Sequence, residues 1–312
     1  MDMPIKLALG PIPYFWPLER VRAFYHKVAE WPVDIVYVGE TVCAKRRAVS
    51  LDGWMRVADE LSEAGKEVVL STLALMDAES SLAMLERICA NGRYPIEAND
   101  MAAVRLLSGN AAFIAGPHIN CYNDETLSLL AQCGACRWVA PMELPGSTVA
   151  ELLRQRPPDL QAEVQAFGRM PLAFSARCFT ARAHDLPKDQ CDFCCGKYPD
   201  GLAVETQEGQ ALFTINGIQI QSAALCNLAG ALVDFEAYGV DVVRIAPLAQ
   251  GTEIAVDAFR AVLDGQLSPE GADEKLASLS LAGLSDGYWN GTSGMAWHET
   301  NPARISHQAA PK

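Results

Sequence analysis

Short β-rich apolar runs alternate along this chain with longer amphipathic segments, a rhythm that predicts an α/β fold built from βαβ units. Three observations narrow it to a TIM-type (β/α)8 barrel, regular or distorted. Eight strand–helix steps fit within residues 1–265 of the 312, which suits a closed barrel better than a doubly wound sheet. No G-x-G-x-x-G follows the first strand and no P-loop is present, so nucleotide-binding open sheets lack their fingerprint. The rhythm breaks once, after the seventh strand, where a Cys-rich insertion enters.

The first strand, Lys6-Leu7-Ala8-Leu9, ends at Gly10-Pro11, and a helix over 18–29 places Val21, Phe24, Tyr25 and Val28 on one face. The second strand runs from Asp34 to Val38, and a helix over 51–64 stops at Gly65, the residue type that commonly ends helices. Glu67–Ser71 is the third strand. A helix over 80–90 leads to a short fourth strand, Tyr94–Ala98, and one over 100–108 to a fifth, Ala112–Gly116. Asn123 caps a helix reaching Gln132, Cys136–Ala140 is the sixth strand, Ser147 caps the next helix, and Ala162–Phe167 is the seventh strand.

Residues 169–210 hold the cysteines and then a run rich in Pro, Gly and charge, with no helix signal. Leu212–Ile218 is predicted as an added strand, 222–237 as a helix, Asp241–Ala246 as the eighth barrel strand and 253–263 as its helix. Residues 1–265 therefore read as one barrel domain with its insertion over 169–210. Residues 266–312 read as a small, polar, Gly-rich extension whose last fifteen residues are expected to be mobile.

Half the residues are hydrophobic and a fifth charged, enough for a sizeable core. A net charge of -13 argues against general affinity for nucleic-acid backbone or anionic lipid, while leaving room for a local basic patch. The N-terminus has no signal-peptide pattern and no apolar run reaches membrane-spanning length. A cytoplasmic location is expected, and there the ten cysteines stay reduced and form no disulfide scaffold.

Four cysteines lie in the pattern C-x12-C-x2-C-C, at Cys178, Cys191, Cys194 and Cys195. Thiolates packed this densely in a reduced chain point to a metal or an iron–sulfur cluster. Side chains of adjacent residues diverge, so Cys194 and Cys195 should not both serve one compact cluster, and three local ligands plus a distant one fit better. Cys178, Cys191 and Cys195 read as the local ligands. In a barrel the functional rim is the C-terminal end of the strands. That places Glu40, Cys43, Asn99, Asp100, His118, Asn120, Glu143 and the insertion together, with Cys43 and Cys121 as the candidate distant ligands. Lys45, Arg46 and Arg47 beside Cys43 should lower its thiol pKa and offset a cluster's charge. Zinc is the competing metal, although a second C-x2-C pair is missing.

Cys89, Cys133 and Cys226 read as packing residues on helix faces and Cys136 as core. His118 reads equally as a general base, a ligand or a merely hydrogen-bonded side chain. Glu40 and Glu143 either bind substrate or cap neighbouring helices; His26 and His184 should be solvated. Tyr14-Phe15-Trp16-Pro17 is either an aromatic wall over the rim or barrel-closing packing. No nucleophile elbow and no H-E-x-x-H motif is present.

Glu163–Gly168 followed by Leu172–Cys178 resembles the signature of the collagenase-like U-type peptidases: a strand with a glutamate, a glycine, then a small-Arg-Cys turn. Gly39–Arg47, Leu70–Leu75, Asn120–Asn123, Cys178–Arg182, Cys191–Cys195 with Lys197-Tyr198-Pro199, and Asn216–Gln219 are similar to the ubiquinone-biosynthesis branch of that family. The resemblance spans about residues 5–265. It implies a 4Fe-4S cluster held by Cys43, Cys178, Cys191 and Cys195, with Cys194 a bystander. It also implies a heterodimer with a homologous subunit, UbiU, acting in oxygen-independent hydroxylation of the ubiquinone (coenzyme Q) ring precursor, with prephenate as a candidate hydroxyl donor. A non-catalytic electron-transfer or stabilising subunit is the alternative, and a peptidase a third. Met170-Pro171-Leu172 stands where the peptidase signature has a further cysteine, so the peptidase activity is not carried over with the resemblance.

Overall fold

The computed structural model describes residues 4–298. All but the first of the fifteen residues expected to be mobile lie outside that range. Seven strands come first: β1 (Lys6–Leu9), β2 (Ile35–Val38), β3 (Glu67–Ser71), β4 (Ile96–Ala98), β5 (Phe113–Ala115), β6 (Ala135–Val139) and β7 (Gln161–Phe174). An antiparallel ribbon follows, of β8 (Leu202–Glu205), β9 (Ala211–Asn216) and β10 (Gln219–Asn227), and then β11 (Val242–Ile245). β1 to β7 pair in order and in parallel, and β11 closes the ring between β7 and β1, as in Val243 opposite both Val164 and Leu7. The result is a closed eight-stranded parallel barrel with helices outside.

The helices between strands are α1 (Leu18–Val28), α2 (Leu51–Glu63), α3 (Glu79–Cys89), α4 (Met101–Leu107), α5 (Asp124–Gln132) and α6 (Gly146–Arg154). Ser50, Asp100 and Asn123 cap α2, α4 and α5 by accepting from backbone amides of the first turn. After β7 come α7 (Phe179–Ala183), α8 (Leu232–Tyr238), α9 (Thr252–Leu263) and α10 (Pro269–Ala277). Among the described residues no helix is long and apolar enough to cross a membrane.

The structure corrects two expectations after the seventh strand. β7 does not stop at Phe167; it passes Gly168, in the left-handed region at φ +112°, and continues out of the barrel to Phe174. A Cβ at Gly168 would stand 2.7 Å from the Ala246 Cβ, so the bend needs both the conformation and the small size of glycine. The helix expected over 222–237 is instead the second half of β10, which pairs antiparallel with the outer half of β7, followed by the short α8. The insertion is thus a four-stranded ribbon, β7–β10–β9–β8, standing on the barrel's C-terminal rim.

The extension after the barrel holds α10, which buries Ala272 and Leu276, and β12 (Leu284–Ser285), which pairs with β10. The Gly146 N–H donates to the Trp289 carbonyl at 2.9 Å, so this segment is tied to the start of α6.

Two layers make up the core. Val36, Val38, Val68 and Leu70 face the helices, whereas Ala8, Ile35, Tyr37, Val69, Ile114, Val139 and Val242 form a separate cluster. Four charged residues are buried beside them: Glu97, Arg137, Glu163 and Arg244. The Arg244 guanidinium meets Glu163 at 2.5 Å and Glu97 at 2.7 Å, and its Cζ lies 4.0 Å from the Tyr37 ring centroid. Tyr37 donates its hydroxyl to Glu163 at 2.5 Å and accepts from Arg137 at 3.1 Å, while Arg137 also reaches Glu67 at 2.8 Å. Every buried charge has an opposite partner, the condition under which such groups are tolerated.

Candidate functional site

Cys43 sits in the β2–α2 loop, which is folded by its own polar groups. The Glu40 carboxylate accepts from the Val42 and Cys43 amides at 2.9 and 3.0 Å, and the Cys43 carbonyl accepts from the Arg46 amide at 2.9 Å. Glu40 is therefore a loop cap. Glu143 likewise accepts the Tyr122 hydroxyl, and Asp100 caps α4. His26 is exposed, while His184 bonds the Tyr198 hydroxyl at 2.9 Å and is half-buried.

The insertion turns back on the same rim. Cys178 is the N-cap of α7, its Sγ accepting from the Ala181 amide at 3.4 Å. Asp192 and Phe193 both take left-handed backbone conformations, at φ +45° and +49°, reversing the chain between Cys191 and the Cys194–Lys197 turn. Lys45 Nζ donates to Asp189 at 2.6 Å and to the Lys188 carbonyl at 3.2 Å. Arg46, itself buried, donates to the Asn216 side chain at 2.7 Å and to the Pro13 carbonyl at 2.8 Å. The aromatic run joins this clasp: Phe15 stacks on Phe193 at 5.2 Å between centroids, and Trp16 Nε1 donates to the Pro199 carbonyl at 2.8 Å.

These contacts gather the cysteines. Cys43, Cys178, Cys191 and Cys195 are close enough to influence one another's ionisation, with the Arg46 guanidinium near Cys43 and Cys195. Cys194 belongs to the same neighbourhood, acted on by Cys195, Cys178 and Cys191, but it is buried where the other four are half-buried. Cys121, the rival distant thiol, is buried with its Sγ on the Asn123 carbonyl at 3.7 Å and stands apart.

The basic residues beside Cys43 do not win the electrostatic contest expected of them. Burial raises the Cys43, Cys178 and Cys195 thiols above the ordinary cysteine pKa, with the charge of Arg46 only opposing the rise. Each would have to release a proton to ligate. Among the described residues no three His, Cys, Asp or Glu side chains are placed to hold a single metal ion. The donor set suits an iron–sulfur cluster chemically: several thiols on two loops, backed by a buried guanidinium that offsets negative charge.

The remaining cysteines lie elsewhere. Cys136, expected in the core, is exposed at the start of β6 with its Sγ on the Phe113 carbonyl at 3.3 Å. Cys226 is buried in β10, on a strand and not a helix, and Cys89 and Cys133 are half-buried at helix ends.

The barrel mouth encloses about 50 Å³, lined among others by Glu97, Asn99, His118, Gln165, Arg169 and Arg244. Such a space holds a water or two. Burial lowers the His118 pKa to about 4, so the ring is neutral near pH 7; it stands edge-on to Phe174 at 4.8 Å. Asn99 Oδ1 and Arg244 Nη2 are buried without a hydrogen-bond partner. The carboxylates here are already paired with arginines, which leaves neutral His118 as the group able to accept a proton. Sequence reading missed the Glu97–Arg244–Glu163–Arg137 network. Its signal was a charged residue inside each of β4, β6, β7 and β11, where a parallel sheet is normally apolar.

A solved U32 peptidase is 10% identical, covering 79% of this chain and 94% of its own, with a TM-score of 0.45. A tryptophan synthase from M. tuberculosis is 14% identical (89% and 93% covered, TM-score 0.43). The tryptophan synthase A-subunit from Pyrococcus furiosus is 13% identical (88% and 99% covered, TM-score 0.43). The sequence itself is more specific: residues 17–299, which leave out only the first barrel strand and take in the insertion, match the model of peptidase family U32, and the chain belongs to that family.

Proposed function

We propose that this protein is a UbiV-type iron–sulfur subunit that works with a homologous partner, UbiU, in oxygen-independent hydroxylation of the ubiquinone ring precursor, in the cytoplasm. The observation that supports the reading is the electrostatic proximity of Cys43, in the β2–α2 loop, to Cys178 some 135 positions later, with Cys191, Cys195 and Arg46 in the same neighbourhood. Cys43, Cys178, Cys191 and Cys195 would hold a 4Fe-4S cluster, which when bound supplies one-electron transfer. The chain's own residues fix the site: Glu40 shapes the Cys43 turn, Lys45 and Arg46 dock the insertion, and the Phe15–Phe193 stack covers one side. Prephenate is the proposed hydroxyl donor.

One observation favours the second reading, an electron-transfer or stabilising subunit whose partner carries the chemistry. The barrel mouth holds only about 50 Å³ and its charged groups are paired off, leaving little room for an aromatic substrate. A peptidase is the weakest reading, since Met170-Pro171-Leu172 replaces a signature cysteine. The test is anaerobic ring hydroxylation by the heterodimer carrying Cys43→Ala. Loss of hydroxylation with the heterodimer intact is expected; full activity in a cluster-free heterodimer would overturn the redox role.

A further inference from the structure

The ring of barrel helices has a gap. α2 packs on α1 and α3 on α4, yet no comparable packing joins α2 to α3. Between them, at the C-terminal ends of β2 and β3, lies a cavity of about 620 Å³, within the range of roughly 300–1,000 Å³ typical of small-molecule sites. Its wall is apolar, with Val49, Trp54, Leu70, Met76, Leu85 and Ile88 facing the space.

Its polar lining has three arginines, four serines and two carboxylates. Arg47 and Arg87 line the cavity and are exposed, and among the described residues neither makes an ion pair or hydrogen bond. Ser81, in the first turn of α3, is 3% exposed and its Oγ has no hydrogen-bond partner. Ala78 at the N-cap supplies no side chain to that turn, so its amides are uncapped from the side-chain direction. Of the acidic groups on the lining, Glu40 is committed to the Cys43 loop and Arg46, and Asp52 lies in the first turn of α2. An apolar cleft with two unpaired guanidiniums, in a chain of net charge -13, is complementary to a ligand with a long hydrocarbon body and one negative head.

We propose that the α2–α3 cleft binds an anionic amphiphile, its aliphatic chain along Trp54, Leu85 and Ile88 and its carboxylate or similar head at Arg47, Arg87 and Ser81. An acyl acid and a prenyl acid share this chemistry. The site shares a wall with the Cys43 loop, through Ala44, Arg46 and Arg47, but the inference holds whether or not the thiols carry a cluster.

The test is calorimetric titration of the purified full chain with palmitate, geranylgeranoic acid, hexadecanol and hexanoate, each below its micelle concentration. Saturable binding of one or both long-chain acids is expected, with hexanoate much weaker; the tighter acid identifies the acyl or prenyl source. Arg47→Glu with Arg87→Glu, both exposed and safe for folding, should weaken the acids about tenfold or more and leave hexadecanol unchanged. Ala83→Trp, which fills the cleft, should abolish binding of acid and alcohol alike. No saturable binding to folded protein overturns the proposal, as does acid binding that survives either variant.

Discussion

The Arg46 guanidinium donates to the side-chain oxygen of Asn216 at 2.7 Å, across 170 positions of sequence. Through this bond the loop that carries Cys43 grips the ribbon that follows Cys178, Cys191 and Cys195. Arg46 also reaches the Pro13 carbonyl and stands 3.8 Å from Glu40, so one buried side chain ties the β1, β2 and β9 ends together. Arg46→Met should cost about 3–5 kcal/mol, because Glu40 and Asn216 are left without their partner. Urea denaturation of the isolated chain measures it. Arg46→Lys should rescue only partly, since an ammonium cannot reproduce the fork that bonds Pro13 and Asn216 together.

Gly217 tests the same clasp from the other side. Its φ is +66°, and a Cβ there would stand 2.8 Å from the Arg46 guanidinium. Gly217→Ala should therefore destabilise by about 1–3 kcal/mol, from backbone strain plus displacement of Arg46. A thermal melt with Gly209→Ala as the control separates the two effects, for Gly209 is also left-handed, at φ +79°, but has open space around it.

The barrel interior depends on matched charges. Glu163→Gln removes the carboxylate that Arg244 meets at 2.5 Å and Tyr37 bonds at 2.5 Å. The expected loss is about 3–5 kcal/mol, the cost of a buried charge deprived of its partner. Pairing it with Arg244→Met should cost less than the sum of the two single changes, read from the denaturation midpoints in a double-mutant cycle.

His118 should titrate far below a free histidine. Its folded pKa is pushed down to about 4 by burial, against an ordinary 6.5. Between those values the unfolded chain takes up a proton that the folded chain does not, so the contribution of His118 to stability is full above pH 6.5 and declines as pH falls toward 4. The slope for one such group reaches about 1.4 kcal/mol per pH unit. A proton NMR titration should show its ring neutral at pH 5.5, and His118→Asn should flatten stability over that window; a midpoint near 6.5 would contradict the lowered pKa.

The barrel was legible because parallel strands buried on both faces read as short Val/Ile/Leu runs, as in Ile35–Val38 and Val242–Ile245. The ribbon was not. In β10 the most deeply buried residues at its start are Gln219 and Gln221, with Ile220 only half-buried, so the usual alternation is inverted. The Ser222-Ala223-Ala224-Leu225 stretch that follows also has good helix propensity, which pairing with β7 overrides. Pro171 similarly hid the outer half of β7. At the site, the spacing of Cys178, Cys191 and Cys195 was visible along the chain, whereas Arg46's role was not: nothing local distinguishes it from Lys45 and Arg47, and only the fold buries it. The α2–α3 cleft left no trace in sequence, because a gap between helices is made of ordinary amphipathic faces.

The cofactor decides the account most directly. The protein purified without oxygen should carry about four iron and four sulfide per chain, with a spin-resonance signal on reduction, and Cys43→Ala should lose most of the iron while keeping the fold that Lys45 and Arg46 clasp independently of the thiols. Stoichiometric zinc in place of iron, or full iron content in Cys43→Ala, would contradict it.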